Sequence, residues 1–535
     1  MFIKKLLAFI VLSLGVAGCT PQADWFSEYG DVPAANPGSI DTLQYGTYGA
    51  GMYAPMEDLK NVSVLLPLSG PNATVGRSIS TAVEMAFLQR KFDNISVTFF
   101  DVAGNKLQKQ EIIMSALATQ PDIIIGPVFA EDVQMVRTMK PDHLPVLSFS
   151  SDVAALGNGV MTMALLPTQS VEAVVREISF DKAHSFIIFA PKTKSGELMA
   201  GAAVQAANTL DVPLSGLFYY NEGDSESIKQ AAKRGAMFDA RAAANNRARE
   251  ILADILVKER LTDAQKADIT AQLEKISKSD TLGKAPYDAI LFLGNTSDSK
   301  TIASFLRYYD VPARDAQFYG TALWDSPDLW NDLTMTGAKF AALPAISPEF
   351  SHLYEQVAGN VPNRLATFGF DAANLTIGML HSNKNMAAYL LDPSGYRGLD
   401  GLFRLRPAGT NERALQVVEL NGSGDVRIRR PAPSNFLTPI YSVQPHSISY
   451  VGEKNLVAPG INPSSYINIP AYLQSKYKSQ TFGANMSQSV TPVHTSEEIV
   501  IMPEDDRDVF DDPEFQPITL EPIDRRLIDS VEVNE

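Results

Sequence analysis

Val62-Ser63-Val64-Leu65-Leu66-Pro67-Leu68-Ser69-Gly70-Pro71 is the stretch on which the fold turns. Its largely apolar run ends at a Pro/Ser/Gly turn, and the residues beyond place Val75, Ile79, Val83 and Phe87 on one helical face. The reading is strand, turn, helix. The unit recurs as Val97 to Phe100 then Leu107 to Ala118, Ile123 to Ile125 then Glu131 to Met139, and Val146 to Phe149. Strands alternating with helices predict an α/β fold with a parallel sheet and helices on both faces.

A second series opens near Thr168 to Ile178 and continues through Phe186 to Ala190, Gly196 to Leu210 and Leu214 to Tyr220. From Ser225 to Ser279 the chain is charged, Ala-rich and nearly free of Gly and Pro, which predicts a helical insertion. Its deletion is expected to spare the folding of two lobes. A short apolar run stands at Lys339 to Leu343, and strands are expected at Ala289 to Leu293, Phe318 to Gly320, Leu402 to Leu405 and Leu415 to Leu420. The last turns at Asn421-Gly422 into Val426 to Ile428. Helices are expected at Ser299 to Tyr309, Pro348 to Val357 and Leu365 to Leu380. Two α/β lobes over residues 60–430 fit this series. Residues 431–535 lose the pattern and are expected to form a low-order acidic extension.

The amino end carries its own signal. Lys4 and Lys5 precede a short apolar run, Leu6 to Val16, closed by small residues at Ala17-Gly18. A membrane span needs about 20 apolar residues, so residues 1–18 are expected to be a signal peptide rather than an anchor. Val16-Ala17-Gly18-Cys19 resembles the lipobox of bacterial lipoproteins, in which the cysteine thiol takes up lipid; Cys19 is accordingly the expected lipidation site. Residues 19–59 read as a linker. Thr20 follows the cysteine, and by that resemblance the outer membrane, periplasmic face, is expected rather than the inner membrane. Cys19 is the single cysteine in 535 residues, so no internal disulfide or cysteine-based metal site is available.

The net charge of -16 is concentrated at the other end, where Glu497 to Glu535 hold fourteen Asp/Glu against three Arg. No basic patch with interleaved aromatics occurs, which argues against nucleic acid as a partner.

Val64 to Pro71 with Val75-Gly76, Ile124-Ile125-Gly126-Pro127, Pro145 to Ser151 and Phe370-Asp371-Ala372-Ala373 resemble the strand ends and helix starts of type I periplasmic binding proteins, the leucine-binding kind. One subgroup fits further. The helical insertion, Gly320-Thr321-Ala322-Leu323-Trp324-Asp325, and Gly398 to Leu405 with Gly409 to Arg413 resemble the penicillin-binding protein activator lipoproteins. That resemblance implies a non-enzymatic envelope protein of the periplasm that binds a peptidoglycan synthase and regulates cell-wall biosynthesis. Better-studied members carry an N-terminal helical-repeat domain, for which the forty or so residues from Cys19 to Leu59 leave no room, so that domain is expected to be lacking.

The alternative is a substrate-binding protein for amino acids or wall peptides that feeds an ABC transporter. Its cleft candidates are Ser69, Gly70, Phe129, Ala130, Ser150, Ser151 and Asp371, in loops after strands or at helix starts. Val128-Phe129-Ala130-Glu131 offers no hydroxyl where amino-acid-binding relatives usually place one, and the acid repels a carboxylate. Ser150 and Ser151 fit turn chemistry at least as well, and Asp371 fits a cap or hinge.

An enzyme is not expected. Ser179-Phe180-Asp181-Lys182 and Ser297-Asp298-Ser299-Lys300 match Ser-x-x-Lys, but the companion elements of such acyl-enzymes are missing or wrongly spaced. No two of the six histidines stand at metal-ligand spacing. No cofactor, metal or catalytic residue is assigned.

Overall fold

The computed structural model describes residues 59–89, 94–436, 440–456, 460–483 and 518–519. Cys19, the leader and most of the linker and acidic tail lie outside them.

The first lobe begins with β1 (Lys60–Leu66), α1 (Ala73–Gln89), β2 (Ile95–Asp101), α2 (Lys106–Ala118), β3 (Ile123–Ile125), α3 (Ala130–Met139), β4 (Val146–Ser148) and β5 (Val160–Thr162). Its strands form one parallel sheet in the order β2-β1-β3-β4-β5. Both sheet faces are covered, so Val64 to Leu66 and Ile123 to Ile125 are wholly buried. That burial is why these strands are continuous rather than alternating apolar runs.

The chain crosses at 163–166 into the second lobe. There α4 (Pro167–Phe180), β6 (Phe186–Pro191), α5 (Lys194–Thr209), β7 (Leu214–Tyr220), α6 (Ser225–Gly235), α7 (Phe238–Lys258), α8 (Asp263–Ser277), β8 (Ala289–Phe292), α9 (Thr296–Tyr308), β9 (Gln317–Gly320), α10 (Pro327–Trp330) and β10 (Lys339–Ala342) follow. α11 (Pro348–Ala358) and α12 (Arg364–His381) return to the first lobe, where α12 packs along α1. α13 (Met386–Leu390), β11 (Tyr396–Gly398), β12 (Gly401–Leu405) and β13 (Asn411–Arg413) precede a last crossing into β14 (Gln416–Leu420) and β15 (Val426–Arg430). The second sheet runs β15-β14-β10-β9-β8-β6-β7, parallel from β10 to β7, with β14 and β15 as an antiparallel hairpin. A small third sheet joins β13, β12 and β11 to β16 (Ile518–Thr519). Strands β5, β11 and β13 have three residues each, too few to show a period in the sequence.

Two expectations change. Residues 225–279 are helical, but they are not a detachable insertion. Ile228, Ala231 and Ala232 of α6 share one core with Phe189, Phe218 and Phe292 of the sheet, so α6 is a layer of the lobe itself. α7 and α8 join it there, through Ile251, Leu252 and Ile255 of α7 and Ile269 of α8 in that same core. Deleting 225–279 would therefore open the second lobe, contrary to the expectation that both lobes survive. On α7, Arg241, Asn245 and Arg249 recur every four residues and form one polar ridge. Asn245 and Arg249 both donate to the Ser279 carbonyl, at 2.5 and 2.6 Å, and Arg249 reaches Ile276 O at 3.0 Å. A guanidinium thus satisfies carbonyls in the last turn of α8 and just beyond it, where the helix dipole favours a cation.

The second change is at the carboxyl end. Residues 440–456 and 460–483, expected to have little order, pack onto the second lobe. Leu456, Ile461, Ile467, Ile469, Leu473 and Tyr477 enter its core. Lys454 exchanges both backbone hydrogen bonds with Leu217, at 2.9 and 3.0 Å, and so covers the open edge of β7. The anchor is Glu172 of α4, fully buried, which accepts from Ser442 N at 2.7 Å, Ser442 Oγ at 2.8 Å and Val443 N at 2.8 Å. Arg176 pairs with it at 3.0 Å. The remaining acidic tail lies outside the described residues except for β16.

Candidate functional site

Loops after β1, β3 and β4 share one edge of the first sheet, because these strands are adjacent and parallel. That edge is where ligands sit in open α/β sheets. It carries Ser69 and Gly70, both exposed, Phe129 and Ala130 at the start of α3, and Ser150 and Ser151 after β4. The structure therefore brings these six predicted residues to one rim.

The Ser69 amide and the Ser150 hydroxyl and carbonyl are engaged within the chain. Asp101 Oδ1 accepts from Leu68 N at 2.8 Å, Ser69 N at 3.3 Å and Ala103 N at 3.1 Å. A carboxylate of the protein thus occupies amides that an anionic ligand would use. Phe129 gives α3 no side-chain cap, and the first turn holds Glu131 and Asp132. Asp132 is buried against Lys109 at 2.7 Å; burial raises its carboxyl above the ordinary range while Lys109 opposes the rise. Ser150 Oγ accepts from Asp152 N at 3.2 Å, and its carbonyl takes the Thr162 hydroxyl at 2.7 Å. Ser150 serves the turn, as its alternative reading anticipates.

The facing lobe presents the carboxyl ends of β7, β8 and β9. Tyr220 is buried over Gly294, where any Cβ would overlap the phenol oxygen, and Trp324 is wholly buried on Gly320. The indole donates to Ser299 Oγ at 3.0 Å. Acids add to this: Asp298 accepts from Gly223 N at 3.2 Å, and Glu222 from Asn295 Nδ2 at 2.9 Å. The ion pair of Lys194 with Asp152, at 3.2 Å, links the two lobes at this rim.

Asp371 stands apart from the rim. It lies two turns inside α12, whose cap is Asn363, rather than at a helix start, and it is 1% exposed. Its carboxylate accepts from Leu399 N at 2.8 Å. Burial and then the Asp400 carboxylate push it up to about 7, with Arg413 pulling the other way. The residues around it tie together the three crossings at the hinge between the lobes.

Those hinge residues are the ones sequence reasoning missed. Arg413 is fully buried, donates to the Met163 carbonyl from Nε at 3.1 Å and from Nη2 at 2.5 Å, and lies between the rings of Phe368 and Phe403 at 4.4 and 4.9 Å. Asn411 Nδ2 donates to Thr162 O at 2.9 Å and Ala164 O at 2.7 Å, while Gln169 returns bonds to Asn411 O at 2.6 Å and from Arg413 N at 3.0 Å. Arg364 joins the second crossing through Pro344 O at 2.8 Å and pairs with Asp400 at 2.8 Å and Asp325 at 3.2 Å. Every crossing strand is therefore held by buried, charge-assisted bonds. The available signal was the charge in Phe403-Arg404-Leu405 and Asn411-Glu412-Arg413, polar residues within otherwise buried strands.

Ser179 ends α4 and Ser297 opens α9, on separate helices, and Lys194 is engaged with Asp152. Among the described residues no group of three or more His, Cys, Asp or Glu is placed to hold a metal, and no helix is long and apolar enough to cross a membrane.

A solved structure of a putative branched-chain amino acid ABC transporter from Rhodospirillum rubrum is similar at 16% identity, with a TM-score of 0.53, over 69% of this chain and 99% of that one. It shares the two-lobed type I periplasmic-binding-protein fold. The C-domain of LpoA (YraM) from Haemophilus influenzae, described as a regulator of PBP1A, aligns at 16% identity with a TM-score of 0.47 over 69% of this chain and 99% of that one. Full-length LpoA from the same organism aligns over 69% of this chain and 58% of its own, at 16% identity and a TM-score of 0.46. No curated protein sequence matches significantly. A family model described as LppC putative lipoprotein matches residues 52–420, and the chain belongs to that family.

Proposed function

We propose that this protein is a non-enzymatic envelope lipoprotein, lipid-anchored through Cys19 at the periplasmic face of the outer membrane, that docks a peptidoglycan synthase and regulates it. The observation that carries the reading is membership in the LppC lipoprotein family over residues 52–420, in a chain whose motifs resemble the penicillin-binding protein activators. Internal occupation of the rim supports it. With Asp101 holding the amides after β1, and Tyr220 and Trp324 filling the facing rim, a protein surface accounts for the site better than a small amino acid does.

The test is a crosslinking pull-down from envelope extracts with the full mature chain. A fragment ending at residue 430 would strand Glu172 without Ser442 and Val443. Recovery of a penicillin-binding protein, and a faster glycan polymerisation or crosslinking rate when the two purified proteins are mixed, is expected. Repeated absence of any cell-wall synthase from the crosslinked material overturns the proposal. Transport-type binding is tested separately: saturating leucine or wall peptide would raise the melting temperature of a true receptor, and no rise is expected.

A further inference from the structure

The second lobe has a polar cavity on the side away from the interlobe rim. It forms where the loop between α8 and β8 meets the loop between α9 and β9, at the amino ends of those strands. Its volume is about 350 Å³, and Arg241, Arg307 and Arg314 line it together with Thr281, Gly283 and Asp310. That is within the usual range for small-molecule sites.

Arg241 forms the fixed part. It is 2% exposed, and its guanidinium donates only to neutral carbonyls: Ala236 at 3.2 Å, Tyr309 at 3.3 Å, Gly283 at 2.7 Å and Asp310 at 3.1 Å. These bonds orient the charge without neutralising it. Its Nε is buried with no hydrogen-bond partner among the described residues. A buried cation without a direct ion-pair partner is costly; the Asp310 and Asp315 carboxylates in the cavity wall act on Arg241 only across space, leaving the place of a hydrogen-bonded anion open.

The acids of the cavity do not fill it. Asp310 accepts the Thr281 hydroxyl at 3.0 Å, and Asp315 pairs with Lys284 at 2.7 Å. Arg307 and Arg314 are exposed and make no ion pair among the described residues. Gly283 keeps the wall thin: its φ is 73°, and a Cβ there would meet the Tyr466 ring at 2.7 Å. Guanidinium groups present planar donor forks matched to carboxylate and phosphate oxygens.

We propose that this cavity is an anion-binding site for the phosphate or carboxylate group of a small molecule, with Arg241 as its buried floor and the exposed Arg307 and Arg314 at its mouth. The site is separate from the interlobe rim and does not depend on a synthase partner.

The experiment titrates the full mature protein with inorganic phosphate and, separately, with citrate, at constant ionic strength balanced with sodium chloride. Melting temperature and calorimetry are read together. A saturable rise in melting temperature with either probe is expected, and the phosphate and citrate arms tell a phosphoryl ligand from a carboxylate one. The double variant Arg307→Gln/Arg314→Gln changes only exposed side chains, so its unliganded melting temperature should match the parent, while its affinity should fall about tenfold or more. Arg241→Lys, which keeps the charge but loses the fork, should weaken binding as well. No saturable response to either anion, or an equal response in the double variant, overturns the proposal.

Discussion

The helices α7 and α8 and the segments 440–456 and 460–483 pack into the same core of the second lobe, yet only the helices are visible in the sequence. Helices carry their instructions locally. Thr262 caps α8 by accepting from Gln265 N, Gln265 answers at the Thr262 amide, and the ridge on α7 repeats every four residues. The carboxyl segment has no such period. It is ordered by partners far away in the chain: Glu172 for Ser442, Gln272 for Asn468 and Glu259 for Tyr477. Two regions of equal structural importance can thus differ entirely in how they are encoded.

The sharpest way to break this comparison is at Glu172. Glu172→Ala leaves the amides of Ser442 and Val443 and the guanidinium of Arg176 without their buried acceptor. Loss of one partner from a buried charged cluster costs about 3–5 kcal/mol, to be read from urea unfolding. Proteolytic cleavage should appear first within 440–456 while α7 and α8 stay protected. Simultaneous cleavage of both regions would mean that they form one cooperative unit.

A control outside both regions is the hinge acid Asp371. Its folded value of about 7 lies above the roughly 3.9 of an unfolded aspartate, so the native state holds a proton that the unfolded chain releases. Its stabilising contribution is therefore present below about pH 4 and is lost as pH rises through about 7. Asp371→Asn, which fixes the neutral form, should flatten that decline and raise the melting temperature relative to the parent at about pH 8. An unchanged pH slope would remove Asp371 from the account of the hinge.

The smallest expected effect returns to the helices. Thr262→Ala deletes the side-chain half of the capping box on α8 and should cost about 1 kcal/mol. Circular dichroism and denaturation should show a local loss, with the protection of 440–483 unchanged. Loss of that protection would show that α8 organises the carboxyl segment through Gln272 and Asn468.

Most of the lobes was legible because each strand and helix is a local pattern. The runs Val62 to Leu66, Ile123 to Ile125 and Leu214 to Tyr220 coincide with observed strands, and the Asn421-Gly422 turn with the β14–β15 hairpin. The rim was legible in part, since loops after parallel strands must share an edge. What those loops do was not. Asp101 was not among the candidates, although its carboxylate takes the amides beside Ser69.

Local pattern in the chain was enough for an α/β fold of two lobes and for placing Ser69, Phe129 and Ser150 in loops that follow parallel strands. Long-range packing settled the rest: that the amides after β1 are engaged internally, that Arg413 and Asn411 tie the crossings, and that residues 440–456 and 460–483 pack onto the second lobe. The physical reason is separation along the chain. Gln169 meets Asn411 across 242 positions and Glu172 meets Ser442 across 270, contacts that no local period announces. A buried charge becomes favourable only when its distant partner arrives.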